Sequence, residues 1–259
     1  MEKPADDKSR DFVEALARGL DVLLACAESP NGISLAEAAR QTGTTRASAR
    51  RSLLTLAAKG FLIEDERSFR LTPKVLTLAA PLASAPLPRL AQPILDRLSK
   101  TFGESFSLAA LVECDIVYLA RSEARRIVAL DLTVGSRLPA WCTSMGRVLL
   151  AGLPQQERQA RLPEALVART PKTIIDPTAL LDLLQRVECD GYCLLDEELE
   201  QGLRSLAVPV RRPDGRVAAS LNVSTQTIRT SQDTLMEQVL PALRAAADLI
   251  SPATGRGAI

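Results

Sequence analysis

The stretch that most constrains this chain is residues 34–72, SLAEAARQTGTTRASARRSLLTLAAKGFLIEDERSFRLT, which predicts two short helices about a tight turn and then a charged hairpin. Ser34 is placed to cap a helix over 35–42, with Glu37 completing a capping box and Gly43 supplying the turn. Thr44 or Thr45 then caps the next helix. A 3.6-residue period gathers Ala49, Leu53, Leu56 and Ala57 on one face and Ser48, Arg51, Ser52, Thr55 and Lys59 on the other. Arg46, Arg50, Arg51 and Lys59 are the charged residues of this helix, and none is acidic. A one-sign field beside short hydroxyls suits the phosphates and base edges of double-stranded DNA. Gly60 ends the helix, and β-prone runs at 61–63 and 68–71 around the polar turn 64–67 predict a wing. Glu64, Asp65 and Glu66 restrict any wing contact with DNA to Arg67 or Arg70. A basic face can be merely solvated, and helix pairs with a hairpin also bind proteins. The order of the three signals favours a winged helix-turn-helix that reads an operator.

The rest of the composition narrows the alternatives. Across 259 residues, 32 Lys plus Arg face 31 Asp plus Glu, so the basic patch is local. The length allows one small and one medium domain. No apolar run approaches the roughly 20 residues of a membrane helix, and the polar, acidic start is unlike a signal peptide, so a cytoplasmic protein with no membrane partner is expected. Five cysteines, an odd number, argue against a disulfide framework, and Cys189 and Cys193 fall short of a zinc pattern. There is no histidine, which excludes Ser-His and Cys-His catalytic pairs, imidazole metal ligands and a histidine pH switch within the chain. No metal and no cofactor are expected, and no glycine-rich phosphate loop is present.

In chain order, residues 1–9 read as a disordered lead-in. Val13, Leu16, Leu20, Leu23, Leu24 and Ala27 make an amphipathic helix over 10–28, in which Gly19 suggests a close packing contact. Thr72-Pro73 opens a linker helix that breaks near 81–88, and a helix over 88–102 starts the larger domain. Strands are expected at 105–112, 116–120, 126–132 and 137–140, before a helix opened by Thr143 or Ser144 and closed at Gly152. A short helix at 157–161 and a longer one from Asp176-Pro177 to Gly191 follow. Strands at 192–195, 206–211 and 217–223, with a hairpin turn at 213–216, precede a last helix capped by Ser231. The expected fold is α+β: a winged helix-turn-helix domain at 10–72, a linker at 73–87 and a sensor-like domain at 88–253.

Within that second domain, backbone N–H groups at the start of the helix opened by Thr143, Ser144, Met145 and Gly146 form a candidate anion site. Trp141 and Tyr118 are either an aromatic wall or ordinary core, and Asn222 and Ser224 either line one cavity or face solvent. A competing enzyme reading uses Asp196, Glu197, Glu198 and Arg204 on a small acid with Cys142 as nucleophile. It lacks a base to activate the thiol.

Four motifs, FVEALARGLDVL, TTRASARRSLLTLAAKGF, LTVGSRLPAWCTSMGRVLLAGLP and DEELEQGLRSLAVPVRRPDGRVAASLNVS, together resemble the IclR family of bacterial transcriptional regulators over nearly the whole chain. The wording from LPAWCTSMGRVLLA to DEELEQGLRSLAVPV is most similar to the branch that controls aromatic-acid catabolism through protocatechuate and the β-ketoadipate pathway. The resemblance implies a winged helix-turn-helix, a linker helix and a GAF-like effector-binding domain, assembled as dimers or dimers of dimers, with RNA polymerase as a further candidate partner. It also implies a pocket for a small aromatic or dicarboxylic acid at Ser144, Met145, Asp196, Ser205, Asn222 and Ser224. Some metabolite-binding members carry Cys where Ser205 stands and Ser where Asn222 stands.

Overall fold

The first unit of the chain is built on a helical trio closed by a small sheet. The structure, a computed structural model, describes residues 12–65, 67–83, 85–123 and 132–254, so the lead-in expected at 1–9 lies outside the described residues. The chain divides into two compact units between Pro81 and Leu82. The first contains α1 (Glu14–Ala27), β1 (Ile33–Ser34), α2 (Leu35–Gln41), α3 (Arg46–Ala58), β2 (Leu62–Asp65) and β3 (Ser68–Leu71). The hairpin β2–β3 forms as expected. Its partner β1, two residues long, is too short to leave a periodic signal and exists because Ile33 pairs with Phe69 and Ser34 with Ser68. Val22, Ala25 and Cys26 of α1 pack with Ile33, Ala38, Leu53, Leu62 and Phe69 as the core of this unit.

Three local expectations are corrected here. The Glu37 N–H donates to Ser34 Oγ at 3.2 Å, but the Glu37 carboxylate accepts from Arg40 and Gln41, so only half of the capping box forms. Gly19 has nothing within 4 Å of where a Cβ would stand, so no close contact explains it. Of the apolar residues that define α1 in the sequence, Val13, Leu16, Leu20 and Leu24 are exposed, whereas Val22, Ala25 and Cys26 enter the core. The helix therefore has a second apolar stripe that its own unit leaves uncovered. The linker expected at 73–87 begins as a 3-10 turn at Pro73–Val75 and continues as α4 (Leu76–Ala83), and α5 (Pro86–Phe102) starts two residues earlier than expected.

The second unit is an antiparallel sheet of six strands covered by helices on both faces. Its strands are β4 (Ser105–Val112), β5 (Asp115–Ser122) and β6 (Arg137–Pro139), then α6 (Ser144–Ala151), α7 (Gln155–Ala160) and α8 (Pro177–Asp190), then β7 (Cys193–Asp196), β8 (Leu203–Arg211) and β9 (Val217–Gln226). The strand order is β6-β5-β4-β9-β8-β7. The strand expected at 126–132 falls outside the described residues except for Leu132, which is not in a strand. After α9 (Gln232–Thr234), capped by Ser231, the last helix passes through a π turn at Leu235–Val239 before α10 (Leu240–Ile250). Pro241, with no N–H to donate, sits where the α register begins. Among the described residues no helix is long and apolar enough to cross a membrane.

Period-two alternation sends Phe106, Leu108, Leu206, Val208, Leu221 and Val223 to one face, where they meet Leu87, Leu95, Leu243 and Ile250 of α5 and α10. The other face presents Ala109, Tyr118 and Ala207 to Met145, Leu150, Leu180 and Leu184 of α6 and α8. Every residue of α6 is buried. Its start is pressed against the 3-10 turn Ala140–Cys142, so a Cβ on Gly146 would lie 2.1 Å from the Ala140 carbonyl oxygen. Arg147, fully buried, donates through Nε to the Trp141 carbonyl at 2.9 Å and grips Glu198 with both terminal nitrogens, at 2.7 and 2.6 Å. Glu198 Oε2 also accepts the Ile174 N–H at 3.2 Å.

Removing one member of a buried bidentate pair leaves the other charged and unpaired, at a cost of about 3–5 kcal/mol. Glu198→Gln is therefore expected to lower the denaturation midpoint of the second unit, whereas a double Arg147→Met, Glu198→Leu variant, carrying no buried charge, should lose much less. Fluorescence of Trp141, the single tryptophan and a direct partner of Arg147, follows the transition during urea titration.

Candidate functional site

The turn before α3 is set by Gly43, at φ 63°, a left-handed backbone that suits glycine. Thr45 caps α3 by accepting the Ser48 N–H at 3.2 Å, while half-buried Thr44 places its hydroxyl 3.0 Å from that of Thr42. Thr45, Arg46, Arg50, Arg51 and Thr55 are exposed and Ser52 is half-buried. Ser48 is the exception to the expected outward face: only 8% of it is exposed. Both α1 and α2 pack against α3, so the covered arc is wider than a single apolar stripe and takes in the position next to Ala49. None of Arg46, Arg50 and Arg51 has an acidic partner among the described residues, so three guanidinium groups share one open helical face. In the wing, Arg67 is exposed and Arg70 is held by Asp65 at 2.5 Å, a surface pair that a phosphate can displace at little cost.

A cavity of about 330 Å³ opens on the second unit. Thr143, Ser144, Met145, Ser205, Asn222 and Ser224, all expected in a pocket, line it together. Thr143 caps α6 by accepting the Gly146 N–H at 3.1 Å. The remaining first-turn N–H groups, those of Ser144 and Met145, are ones that helix geometry leaves without an intrahelical acceptor. Asn222 is 3% exposed; its Nδ2 donates to Ser224 Oγ at 3.2 Å, and its Oδ1 is buried without a partner among the described residues.

Three expected pocket residues lie elsewhere. Trp141 is buried in the core beneath α6, its ring committed to packing. Gly146 lies against the Ala140 backbone, which leaves no room for a Cβ, and does not line the cavity. Asp196 accepts from Arg204 Nε at 2.6 Å and Lys172 Nζ at 3.1 Å, and the Arg204 contact foremost holds its carboxyl below the usual carboxylate range. It is already neutralised and does not line the cavity.

The cavity also holds a cation that sequence reading missed. Arg121 lines the wall, its side chain 9% exposed, donating from Nη1 to Ser107 Oγ at 3.1 Å and from Nε to Glu123 at 2.8 Å, with the guanidinium 5.8 Å from the Tyr118 ring centre. Strict alternation would put Tyr118 and Arg121 on opposite faces. A bulge resets it: Ala109 pairs with Tyr118 and Leu108 with Ala120, leaving Leu119 unopposed. Both residues then face the cavity. Burial pushes the Tyr118 hydroxyl up to about 12, so the phenol beside the guanidinium is neutral.

The enzyme reading loses its parts one by one. Cys142 is fully buried, and desolvation pushes its thiol up to about 11, which removes the thiolate. Of the acidic run, Asp196 and Glu197 are held by Lys172 and Glu198 by Arg147. No cluster of residues able to hold a metal ion occurs among the described residues.

Comparison with known proteins places these two units in one lineage. The IclR helix-turn-helix domain matches residues 15–66, and the C-terminal domain of the bacterial transcriptional regulator IclR matches residues 79–252. The Pca regulon regulatory protein of Pseudomonas putida is 46% identical over 239 residues, covering 91% of this chain and 82% of that protein. The p-hydroxybenzoate hydroxylase transcriptional activator of Acinetobacter baylyi is 37% identical over 244 residues, covering 92% and 90%. The crystal structure of an IclR homologue from Microbacterium hydrocarbonoxydans, complexed with 4-hydroxybenzoate, superposes with a TM-score of 0.74 at 25% identity, covering 93% of this chain and 98% of that one. With both halves matched and a close relative aligned along most of its length, the chain belongs to the IclR family of bacterial transcriptional regulators.

Proposed function

We propose that this regulator controls genes of aromatic-acid catabolism, reading its operator with α3 and sensing a small aromatic or dicarboxylic acid in the cavity beside α6. The observation that carries the sensing role is the cavity itself: its wall sets the Arg121 guanidinium and the side chains of Ser144, Ser205, Asn222 and Ser224 beside apolar ones such as Tyr118, Leu138 and Met145, a lining that suits a small polar ligand better than an empty core. The relatives support the choice of acid, since one is named for the Pca regulon, one for p-hydroxybenzoate hydroxylase, and one is a complex with 4-hydroxybenzoate. In this reading the ligand carboxylate lies on the Ser144 and Met145 N–H groups. Residues 10–72 serve as the DNA-reading domain, 73–87 as linker and 88–253 as effector domain. The exposed stripe Leu16, Leu20 and Leu24 pairs with a second copy, because two recognition helices are needed to span successive major grooves. Effector binding then shifts the population between two arrangements of the dimer, or of a dimer of dimers, in the cytoplasm.

Arg46→Ala and Arg51→Ala should each weaken operator binding in gel-shift titrations over a salt series. A base-edge contact should cost about 1–3 kcal/mol and relax specificity at one position, and a phosphate contact should weaken every sequence and reduce the salt slope by about 1. Parent-like binding by both variants would remove α3 from the role. For the sensor, Ser205→Leu should fill the cavity and abolish effector heats in calorimetry while leaving effector-free DNA binding unchanged. Loss of DNA binding without effector would instead mark Ser205 as structural. Light scattering of the parent should show a dimer or larger at micromolar concentration, with Leu20→Glu shifting it toward monomer. A monomeric parent would refute the pairing.

A further inference from the structure

The carbonyls just beyond α3 are held by the first turn of the linker. α3 closes on itself: the Phe61 N–H donates to the Leu56 carbonyl at 2.9 Å and the Gly60 N–H to the Ala57 carbonyl at 2.8 Å, with Gly60 in the left-handed region at φ 77°. That closure uses none of the carbonyls of Lys59, Gly60 and Phe61, and two residues at the start of the linker take all three. Lys74 Nζ donates to the Lys59 carbonyl at 2.6 Å, Thr72 Oγ1 to the Gly60 carbonyl at 2.6 Å and the Thr72 N–H to the Phe61 carbonyl at 2.9 Å. The Thr72 hydroxyl also accepts the Lys74 N–H at 3.3 Å, so one oxygen serves the end of α3 and the first linker turn together.

Lys74 is exposed, yet its side chain is committed to this junction. A Cβ on Gly60 would stand 3.7 Å from Lys74 Cδ, and the ammonium lies 4.9 Å from the centre of the half-buried Phe61 ring, whose face attracts a cation. A positive charge at the C-terminal end of a helix also meets the negative pole of its dipole. We propose that Lys74 is a positioning residue for operator reading: it pins the end of α3 to the linker and so fixes the angle at which the arginine face meets the duplex, without touching DNA itself. The inference rests on the reading of α3 as the DNA-reading helix. Base-edge contacts demand that angle, whereas attraction to phosphates is far less directional, so loosening the pin costs specificity before it costs non-specific binding.

The test titrates full-length protein with two duplexes over a salt series, one selected from random-sequence DNA by the parent protein and one scrambled to the same composition. Lys74→Met should bind the selected duplex about fivefold or more weaker, the scale of one lost base contact, bind the scrambled duplex nearly as the parent does, and keep the parent's slope of log affinity against log salt. Lys74→Arg, which can still donate to the Lys59 carbonyl and lie over the Phe61 ring, should recover most of the loss. An equal loss on both duplexes overturns the proposal: a slope reduced by about 1 marks a phosphate contact, and an unchanged slope marks loss of folded protein. Parent-like binding of the selected duplex by Lys74→Met overturns it while Arg46→Ala and Arg51→Ala still weaken binding. Parent-like binding by those two arginine variants overturns the α3 reading and this inference together.

Discussion

The buried Arg147–Glu198 pair ties together the parts of the second unit that surround the cavity. Taking two charges out of water is costly, and the geometry that compensates is restrictive: two parallel N–H···O bonds, with the arginine Nε held by the Trp141 carbonyl and a carboxylate oxygen by the Ile174 N–H. Glu198 stands in the turn after β7, and the Thr170 and Thr173 hydroxyls donate to the Glu197 and Glu198 carbonyls, which anchors the loop before α8 to the same turn. Arg147 lies on α6, whose first turn forms one wall of the cavity, and residues 199–203 just beyond Glu198 form its rim. One ion pair thus fixes the distance between wall and rim.

The sheet separates two requirements that would otherwise conflict. Its α5 and α10 face carries an apolar core that supplies stability through burial. The other face is apolar under α6 and α8 but turns polar at Ser105, Ser107, Ser205, Asn222 and Ser224, where serine and asparagine replace the aliphatic residues of a normal sheet core. Buried polar groups that are not fully satisfied by the protein weaken the free state, and a ligand that completes them gains that difference on binding. A regulator needs such a difference, since a ligand shifts an equilibrium only by as much as it prefers one state.

The α1 stripe and the α3 face show the same economy in the first unit. Leu16, Leu20 and Leu24 lie one helical turn apart and remain exposed, while Val22, Ala25 and Cys26 fill the core. On α3 the charged side chains Arg46, Arg50 and Arg51 point away from the two helices packed against it.

The sequence by itself determined the helix-turn-helix and its wing, narrowed the caps of α3 and α6 to Thr44 or Thr45 and to Thr143 or Ser144, and indicated the β8–β9 hairpin and the clustering of Ser144, Met145, Ser205, Asn222 and Ser224, because these follow from local periodicity, capping chemistry and family motifs. What only the tertiary structure decided depends on partners distant in the chain. Ser48 is buried because two helices converge on α3, and β1 exists because Phe69 and Ser68 come to meet it. Trp141 and Gly146 serve packing because the Ala140–Cys142 turn lies under α6, and Asp196 is neutralised by Arg204 and Lys172. Arg121 enters the cavity because one unopposed residue, Leu119, reverses the alternation of β5, and no period-two reading of the chain anticipates a register shift set by the neighbouring strand.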